Sequence, residues 1–469
     1  MDQKETSLLY KIYEAPYLGP FLINSNYAMN TAELYKIFLE HPIISIDSRT
    51  SESGSLFFAL KGDNFDGNQY AEVALQKCSY AIVDDPKVVK SDKYILVGDV
   101  LEKFQRLAAY HRKRLGIPII AITGTNGKTT TKELVAAVMS KKYKVAYTVG
   151  NHNNHIGVPL TLLQMTKQHE FGIIEMGANH IGEIESLCKI VSPDYGIITN
   201  IGKAHLEGFG SLEGVKKAKG ELYRYLYEND GTAFINYDNE LLDEMNPPHS
   251  VIYYGTKEFT HCQGKIVSDG VFLKFRWISS DEVADEPRHE DWSMRGSLIT
   301  THLVGDYNFE NALAAVCIGN TFNVCIQHIR EAIENYEPKN NRSQLTKTEF
   351  NTLLVDSYNA NPSSMKVAIS NFSQLEFPNK IAILGEMLEL GEASVREHGA
   401  LIGQLNELPF EDVFLVGPSF MNYKENQKYH FFSNTFDLVE YLKTHPIKNK
   451  QILLKGSRGM KLETTLDYL

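Results

Sequence analysis

The fold of this chain is decided by the stretch Ile117-Pro-Ile-Ile-Ala-Ile-Thr123, which runs straight into Gly124-Thr-Asn-Gly-Lys-Thr-Thr130. The first seven residues are apolar and mostly β-branched, which is typical of a buried strand in a parallel sheet. A glycine-containing turn follows, and the apolar spacing of residues 132–141 then predicts a helix. Strands that alternate with helices predict an α/β domain with a parallel sheet.

The same turn has the chemistry of a phosphate-binding loop. Its glycines let backbone N–H groups face a polyphosphate, and the helix N-terminus adds partial positive charge. Lys128 can reach the β- and γ-phosphates, and the Thr129 hydroxyl can ligate Mg²⁺. The general pattern has glycine where this chain has Ile122. A plain strand–turn–helix connection is the alternative, and Gly-Lys-Thr after such a strand favours the phosphate loop.

Two further polar residues follow predicted strands of the same sheet. Glu175 ends the predicted strand Phe171–Glu175, and His205 comes shortly after the run Tyr195–Thr199. Ligands of open parallel sheets bind beyond the carboxyl ends of the strands, so both side chains can converge on the phosphate loop. A carboxylate is a natural Mg²⁺ ligand and a histidine less so. A solvated loop acid and a packed, hydrogen-bonded histidine are the alternatives.

The whole chain divides into three blocks, which we interpret as domains over residues 1–116, 117–329 and 330–469. Residues 232–304 look more antiparallel than the rest of the central block. The last block resembles a second, smaller doubly wound domain. The other predicted strands are Leu56–Leu60, Tyr80–Val83, Tyr94–Val97, Thr352–Val355, Ile381–Leu384, Val413–Val416 and Gln451–Leu454.

Bulk composition narrows the class of protein. The chain has 469 residues, more than the ~250–300 at which a single core stops growing. Its net charge of -11 weighs against a nucleic-acid partner. The five cysteines are scattered without metal-ligand spacing, which indicates reduced thiols in the cytoplasm. No apolar run approaches the ~20 residues of a membrane span, and the N-terminus lacks the apolar core of a signal peptide.

Taken together, the motifs resemble the Mur ligase family, and the resemblance covers nearly the whole chain. TGTNGKTT alone is shared with a wider superfamily that includes folylpolyglutamate synthases. Within the family, the later motifs most resemble the members that add D-alanyl-D-alanine to UDP-N-acetylmuramoyl-tripeptide. The segments that carry the resemblance are Asp47–Arg49, Gly54–Gly62, Thr123–Lys132, Gly150–Leu163, Glu175–Ile184, Gly196–Leu222, Asp356–Met365, Leu384–Gly391 and Lys455–Glu463.

This resemblance implies a fold and a reaction. The fold has an N-terminal α/β UDP-substrate domain, a central P-loop-type ATPase domain and a C-terminal Rossmann-like domain that closes over the nucleotide. The tripeptide carboxylate attacks the ATP γ-phosphate, and the dipeptide amine then attacks the resulting acyl-phosphate. ATP and Mg²⁺ are the implied cofactors, the product is a cytoplasmic peptidoglycan precursor, and a monomer is expected.

The resemblance also assigns site residues. Lys128, Lys219 and His205 are the expected catalytic residues, and Thr129, Glu175, His205 and Lys219 the expected metal ligands. The expected nucleotide-binding residues are Gly124, Thr125, Asn126, Gly127, Lys128, Thr129, Thr130, Asn308, Asn311, Arg342, Asp356 and Asn359. The expected substrate-binding residues are Ser48, Arg49, Asn153, Asn154 and Tyr358.

Some of these assignments have alternatives. In several Mur ligases the lysine equivalent to Lys219 is carbamylated, which turns a cation into an oxygen ligand; a lysine on a solvated helix face is the alternative. An exposed surface arginine is the alternative for Arg342. This chain departs from the family's usual residue at three positions, Asn68, Tyr307 and Asn341.

Four residues of the last block have weaker assignments. Glu386, Glu389 and His398 are expected either to border the D-alanyl-D-alanine pocket or to lie on a charged helix surface. Arg458 is expected to bind a carboxylate or to cap a turn.

Other functions stay open at this point. One is a related ligase with another acid or amine, such as the diaminopimelate- or lysine-adding enzyme or a folylpolyglutamate synthase. The other is a non-catalytic ATP-binding module. The chain keeps every catalytic and metal-ligand candidate, which argues against the module: Lys128, Thr129, Glu175, His205 and Lys219.

Overall fold

The computed structural model of the protein describes residues 29–245, 250–268, 270–279, 296–339 and 341–469. The chain forms two compact units. The first comprises Met1–Gly116 with Leu162–Gln164, and the second comprises Ile117–Thr161 with Met165–Leu469.

The described part of the first unit contains a four-stranded parallel sheet in the order β1-β2-β5-β6 and a small antiparallel pair, β3-β4. An Asn30 capping box starts the first helix, and Gly116, with φ of 65°, ends the third. The strands are β1 (Ile44–Ser45), β2 (Leu56–Phe58), β3 (Lys61–Gly62), β4 (Phe65–Asp66), β5 (Tyr80–Val83) and β6 (Tyr94–Leu96). The helices are α1 (Thr31–Glu40), α2 (Ala71–Ala74) and α3 (Val100–Leu115).

The second unit contains two sheets, and its larger sheet has nine strands within the described residues. Their order is β15-β14-β13-β12-β11-β10-β7-β9-β8. The strands are β7 (Ile119–Thr123), β8 (Val145–Tyr147), β9 (Phe171–Glu175), β10 (Tyr195–Ile198), β11 (Thr232–Asn236), β12 (Ser250–Gly255), β13 (Cys262–Ile266), β14 (Phe272–Ser279) and β15 (Ser297–Val304).

Helices cover this larger sheet and bury its apolar strands. Helices α4 and α10 contribute Leu134, Val138 and Leu313 to the same core as Ile120 and Ile122 of β7. The helices of this region are α4 (Lys128–Met139), α5 (Gly157–Leu163), α6 (Glu183–Val191), α7 (Leu206–Phe209), α8 (Leu212–Glu228), α9 (Glu240–Asp243), α10 (Phe309–Thr321) and α11 (Ile326–Glu334).

The smaller sheet lies in residues 341–469, which the structure describes without a gap. Its strand order is β16-β17-β21-β18-β19-β20, and every pair is parallel except β16 with β17. The strands are β16 (Gln344–Lys347), β17 (Thr352–Asp356), β18 (Lys380–Gly385), β19 (Asp412–Val416), β20 (His430–Phe432) and β21 (Gln451–Lys455). The helices are α12 (Pro362–Gln374), α13 (Ser394–Asn406) and α14 (Thr435–Thr444).

The predicted α/β class with parallel sheets is confirmed. The helix expected over residues 132–141 is α4, which begins four residues earlier at Lys128. The antiparallel interpretation of residues 232–304 is wrong for its first half, because β11, β12 and β13 pair in parallel and antiparallel pairing begins only at β14. The apolar pattern of a short strand does not show whether the neighbouring strands run parallel or antiparallel to it.

Taking the described ranges alone, no helix combines the length and the apolar character needed to cross a bilayer.

Candidate nucleotide and metal site

The site begins where three parallel strands end at one edge of the larger sheet. Strand β7 lies between β9 and β10, with Ile122 opposite Glu175 and Thr123 opposite Ile198. The chain leaves β9 on one side of β7 and returns as β10 on the other, which makes this the point where the winding of the sheet reverses. Ligands of doubly wound sheets bind in the crevice at such a point.

Two glycines give the loop after β7 its shape. The φ angles are 140° at Gly124 and 77° at Gly127, in the region that favours glycine. A Cβ on Gly124 would lie 2.0 Å from Thr199 Oγ1, and one on Gly127 would lie 2.4 Å from Asn311 Oδ1. Both positions therefore require glycine for conformation and for space.

Hydrogen bonds from the end of β10 brace the loop. Thr125 N donates to Asn200 O at 2.9 Å, and Asn126 N donates to Asn200 Oδ1 at 3.0 Å. Thr199 Oγ1 donates to Asn126 O at 2.5 Å. Residues that follow β10 therefore hold the loop that connects β7 to α4.

The Lys128 ammonium lies inside the loop that it follows. Lys128 Nζ donates to the carbonyls of Gly124 at 2.8 Å and Thr125 at 3.1 Å. Burial lowers the pKa of the Lys128 ammonium. The negative charge of Glu175 raises that pKa, and the positive charge of Arg342 lowers it further. Thr129 and Thr130 follow in the first turn of α4. A polyphosphate at this helix N-terminus would meet a cation that is already desolvated.

Glu175 is a buried carboxylate whose two oxygens are both held. Thr129 Oγ1 donates to Oε2 at 2.9 Å, and Asn153 Nδ2 donates to Oε1 at 2.8 Å. Lys132 Nζ lies 3.8 Å from Oε2 and its side chain is buried as well. Lys132 has no role among the predictions from sequence, although it lies one helical turn beyond Lys128 on the same face of α4.

These donors fit a hard divalent cation. A carboxylate and a hydroxyl at the phosphate loop are the oxygen ligands that Mg²⁺ prefers. Within the residues that the structure describes, no three His, Cys, Asp or Glu side chains cluster in a way that would hold a metal ion. Of the four expected metal ligands, Thr129 and Glu175 are in direct contact with each other at this edge.

Lys219 and His205 both lie near the Phe209 ring. Lys219 Nζ is 5.3 Å from the ring centre and donates to Ala178 O at 3.3 Å. Burial, and then the charge of Lys128, lowers the pKa of Lys219 to about 7. The imidazole of His205 lies 6.3 Å from the same ring, centre to centre, and His205 Nδ1 lies 2.5 Å from Glu389 Oε2. Lys219 is thus buried on α8 and does not lie on a solvated helix face.

Arg342 and Tyr358 form a cation–π pair beside the phosphate loop. The guanidinium carbon lies 3.6 Å from the ring centre of Tyr358, and that of Arg458 lies 5.3 Å from it. Burial lowers the pKa values of Lys128 and Lys132, and the positive charge of Arg342 lowers both further.

Asp356 ends β17 beside the end of β21. Its Oδ2 lies 2.6 Å from Lys455 Nζ, which also donates to Asn359 O at 3.2 Å. Ser343 N donates to the other oxygen of Asp356 at 3.3 Å. Lys455 has no role of its own among the predictions from sequence, and its position directly before Gly456-Ser-Arg was the available signal.

Three predicted asparagines have structural contacts of their own. Asn311 Oδ1 accepts from Thr131 Oγ1 at 3.0 Å, and Asn311 Nδ2 donates to Asn308 Oδ1 at 3.2 Å. Asn308 Nδ2 donates in turn to Val304 O at 2.9 Å. Asn154 Oδ1 accepts from Gly157 N at 2.9 Å at the start of α5. Their ligand contacts stay predictions.

A further set of contacts, which the sequence did not indicate, joins the smaller sheet to the phosphate loop. Asn361 Nδ2 donates to Asn126 Oδ1 at 2.8 Å, and Lys203 N donates to Ser363 Oγ at 2.8 Å. Lys203 Nζ lies 2.9 Å from Glu397 Oε1. These partners are 160 to 235 residues apart in sequence.

The weaker candidates of the last block divide into two groups. His398 is fully buried, with Nδ1 donating to Ser394 O at 2.8 Å and Nε2 accepting from Met387 N at 3.1 Å. That histidine supports the β18–α13 connection. Glu386 accepts from Ser419 Oγ, and Glu389 pairs with His205.

Ser48 and Arg49 lie in the first unit. The Arg49 side chain is 87% exposed and lies 2.6 Å from Asp47 Oδ2, which lowers the pKa of Asp47 to about 2. Asn68 is buried and donates to Asp66 and Asp84, at 2.8 Å each.

Three family profiles match the chain. The profile described as Mur ligase family, catalytic domain matches residues 41–122. The Mur ligase middle domain matches residues 122–319, and the Mur ligase, glutamate ligase domain matches residues 341–458.

Relatives and solved structures are similar over almost the full chain. A UDP-N-acetylmuramoyl-tripeptide–D-alanyl-D-alanine ligase of Bacillus subtilis is 33% identical, covering 92% of this chain and 96% of its own. That of Haemophilus influenzae is 34% identical, covering 90% and 92%. A crystal structure of MurF from Acinetobacter baumannii superposes with a TM-score of 0.80, 31% identity and coverage of 90% and 92%. The structure of MurF ligase from Thermotoga maritima in complex with ADP superposes with a TM-score of 0.78, 26% identity and coverage of 92% and 97%.

Proposed function

The chain belongs to the Mur ligase family, and we propose that, as a member, it joins D-alanyl-D-alanine to UDP-N-acetylmuramoyl-tripeptide while converting ATP to ADP and phosphate. The choice of substrates is supported by relatives of that name at 33% and 34% identity over at least nine-tenths of the chain. The reaction class is carried by one observation: a phosphate loop beside a buried Thr129–Glu175 pair.

The chemistry has two steps. An oxygen of the tripeptide carboxylate attacks the γ-phosphorus of ATP, the bond to the bridging oxygen breaks, and ADP leaves. The dipeptide nitrogen then attacks the carbonyl carbon of the acyl-phosphate, loses a proton, and expels inorganic phosphate. Both steps gather negative charge around the transferred phosphoryl group, so catalysis depends chiefly on positioning and on nearby cations.

The residues around the phosphate loop supply both. The loop N–H groups and the start of α4 orient the phosphates, and Lys128 offers a buried ammonium. Arg342, stacked on Tyr358, adds a second positive charge near Lys128. Asp356 and Asn359 lie at the carboxyl edge of the smaller sheet, where their shared contact with Lys455 fixes them.

We propose that Thr129, Glu175, His205 and Lys219 hold Mg²⁺, which would neutralise phosphate charge when bound. Glu175 and Thr129 are already in contact, and Asn153 fixes the carboxylate oxygen that Thr129 does not use. His205 and Lys219 share the Phe209 ring.

Carbamylation of Lys219 is part of the proposal. With a pKa lowered to about 7, a large fraction of the buried amine is neutral near neutral pH. A neutral amine nitrogen can attack the carbon of CO₂ and lose its proton, which leaves a carbamate with two ligand oxygens. The buried site at Ala178 and Phe209 would keep that carbamate away from bulk water.

The first unit is proposed to bind the UDP part of the substrate. Arg49 is largely exposed and its guanidinium is held by Asp47, an arrangement that orients an arginine for a pyrophosphate. Ser48 lies beside it in sequence. Asn153 and Asn154 are proposed to contact the acceptor substrate near the phosphate loop.

The decisive experiment is a direct synthesis assay. The purified chain is incubated with ATP, Mg²⁺, UDP-N-acetylmuramoyl-tripeptide and D-alanyl-D-alanine, and the product mass is measured. We expect the mass of the pentapeptide nucleotide, one ADP for each product, and no product from Lys128→Ala. Synthesis that survives Lys128→Ala would refute the role given to the loop.

A substrate panel separates this proposal from its relatives. Phosphate release is compared among the dipeptide, single amino acids such as diaminopimelate and lysine, and a folate with glutamate. Greatest turnover with a single amino acid would assign the chain to another reaction of the family. ATP binding without turnover on any pair would favour a non-catalytic module.

The cytoplasm is the proposed compartment. Each of the five cysteines, all within the described ranges, is a free thiol, which fits a reducing environment. ATP as a substrate also fits the cytoplasm. A monomer stays a prediction, to be checked by light scattering after size-exclusion chromatography.

A further inference from the structure

The first turn of helix α12 touches the phosphate loop through one side chain, Asn361. We propose that Asn361 is a positioning residue that fixes the phosphate loop in the geometry that binds ATP. The inference rests on the proposed use of ATP. It goes beyond the motif assignments, in which Asn361 has no role.

Helix capping determines how the Asn361 amide is oriented. Asn361 is the N-cap of α12, and its Oδ1 accepts from Ser364 N at 2.9 Å. Ser364 Oγ accepts from Asn361 N at 3.1 Å, which completes a capping box. Because the acceptor end faces the helix, the NH₂ end must face outward. That end donates to Asn126 Oδ1 at 2.8 Å.

Asn126 is the loop residue that this contact immobilises. Its backbone N–H and carbonyl are already bound to Asn200 Oδ1 and to Thr199 Oγ1. Asn200 Nδ2 also donates to the Asn126 carbonyl at 3.2 Å. The Asn361 contact therefore adds a fourth restraint, and it acts on the Asn126 side chain. Asn126 lies between Gly124 and Gly127, whose backbones have the greatest freedom, so each restraint reduces the entropy lost when phosphate binds.

A second contact from the first turn of α12 brings this turn close to the segment that contains Gly202 and Lys203. Ser363 Oγ accepts from Lys203 N at 2.8 Å. A Cβ on Gly202 would lie 2.6 Å from that oxygen, so the two segments meet with no spare space. Gly202 also holds the loop, since its N–H donates to Thr125 Oγ1 at 2.9 Å. The turn of α12 thus rests on both segments that shape the phosphate site.

The test separates bridging from capping. Asn361→Ser keeps an oxygen that caps the helix about as well as asparagine, and loses the NH₂ donor to Asn126. We expect the Kd for a non-hydrolysable ATP analogue to rise about 3- to 10-fold, the effect of one net hydrogen bond. The KM for ATP should rise in parallel, while the KM values for the two other substrates stay unchanged.

The matched control is Asn434→Ser. Asn434 caps α14 of the same sheet through Asp437 N at 3.0 Å, and its NH₂ donates to Asp437 within that helix. This variant should bind the analogue like the unaltered chain. Asn126→Ala should weaken binding to a similar extent as Asn361→Ser, and the double variant should be no weaker than the worse single variant.

Two results would overturn the inference. One is wild-type affinity for the analogue in Asn361→Ser; the other is a loss matched by an equal loss in Asn434→Ser. The proposed function fails separately, because it predicts amide synthesis by the unaltered chain, whereas analogue binding is measured without the other substrates.

Discussion

Replacing Gly127 with alanine tests how the phosphate loop is built. Gly127 has φ of 77°, and a Cβ there would lie 2.4 Å from Asn311 Oδ1. The obstructing atom is not a free side-chain end. Asn311 accepts from Thr131 Oγ1 at 3.0 Å and donates to Asn308 Oδ1 at 3.2 Å. The amide can therefore retreat only by breaking these bonds.

The magnitude follows from these contacts. A left-handed backbone costs an alanine roughly 1–2 kcal/mol. Losing the two hydrogen bonds of Asn311 costs about 1 kcal/mol each. If the loop distorts to avoid the total of about 3–4 kcal/mol, ATP binding weakens by at most roughly 700-fold. We expect a loss of at least about 10-fold for Gly127→Ala, since the loop N–H groups no longer face the phosphates together.

Calorimetric titration with a non-hydrolysable ATP analogue measures this loss. The control is Gly210→Ala, because Gly210 has a similar φ of 73° and a Cβ there would have no other atom within 4 Å. That variant bears the backbone cost alone and should keep its nucleotide affinity. Affinity within about threefold of wild type in Gly127→Ala would refute the reasoning.

Three further predictions concern titration, a buried ion pair and the lysine that is proposed to be carbamylated. Burial lowers the pKa of His398 below its ordinary 6.5. The unfolded chain therefore binds the proton at a higher pH than the folded chain, and stability falls as the pH drops below about 6.5. The melting temperature of His398→Leu should vary less with pH below about 6.5. Asp356→Ala leaves the Lys455 ammonium, whose side chain is 2% exposed, without its ion-pair partner. Lys455→Met leaves the Asp356 carboxylate, which water can reach. Asp356→Ala should therefore lower the melting temperature more than Lys455→Met. Lys219→Ala should lose activity that short carboxylic acids partly restore, and no restoration by any of them would count against the carbamate.

The local features of this protein were readable from its sequence. The strand, turn and helix around Thr123–Lys128 depend on neighbours within a few residues, and β7, the loop and α4 follow as predicted. The predicted strand ends also bring Glu175 to the phosphate loop, because parallel strands of one sheet end at one edge.

Contacts between distant segments required the tertiary structure. Lys132 is an ordinary helix lysine by its spacing, yet it lies buried 3.8 Å from Glu175. His398 has the sequence context of a surface helix and is in fact buried with both nitrogens bonded. Burial and partner choice depend on which helix packs on which sheet, and no local pattern encodes that.

Residues adjacent in the chain were enough to predict the α/β class, the strand, turn and helix around Gly124–Lys128, and the family, since each of these depends on short contiguous motifs. The folded chain was needed to show that Asn361 reaches Asn126 across 235 residues and that Lys219 is buried enough for its pKa to fall to about 7. Hydrogen-bond partners and desolvation are properties of the packed surroundings, which exist only once segments distant in the chain have come together.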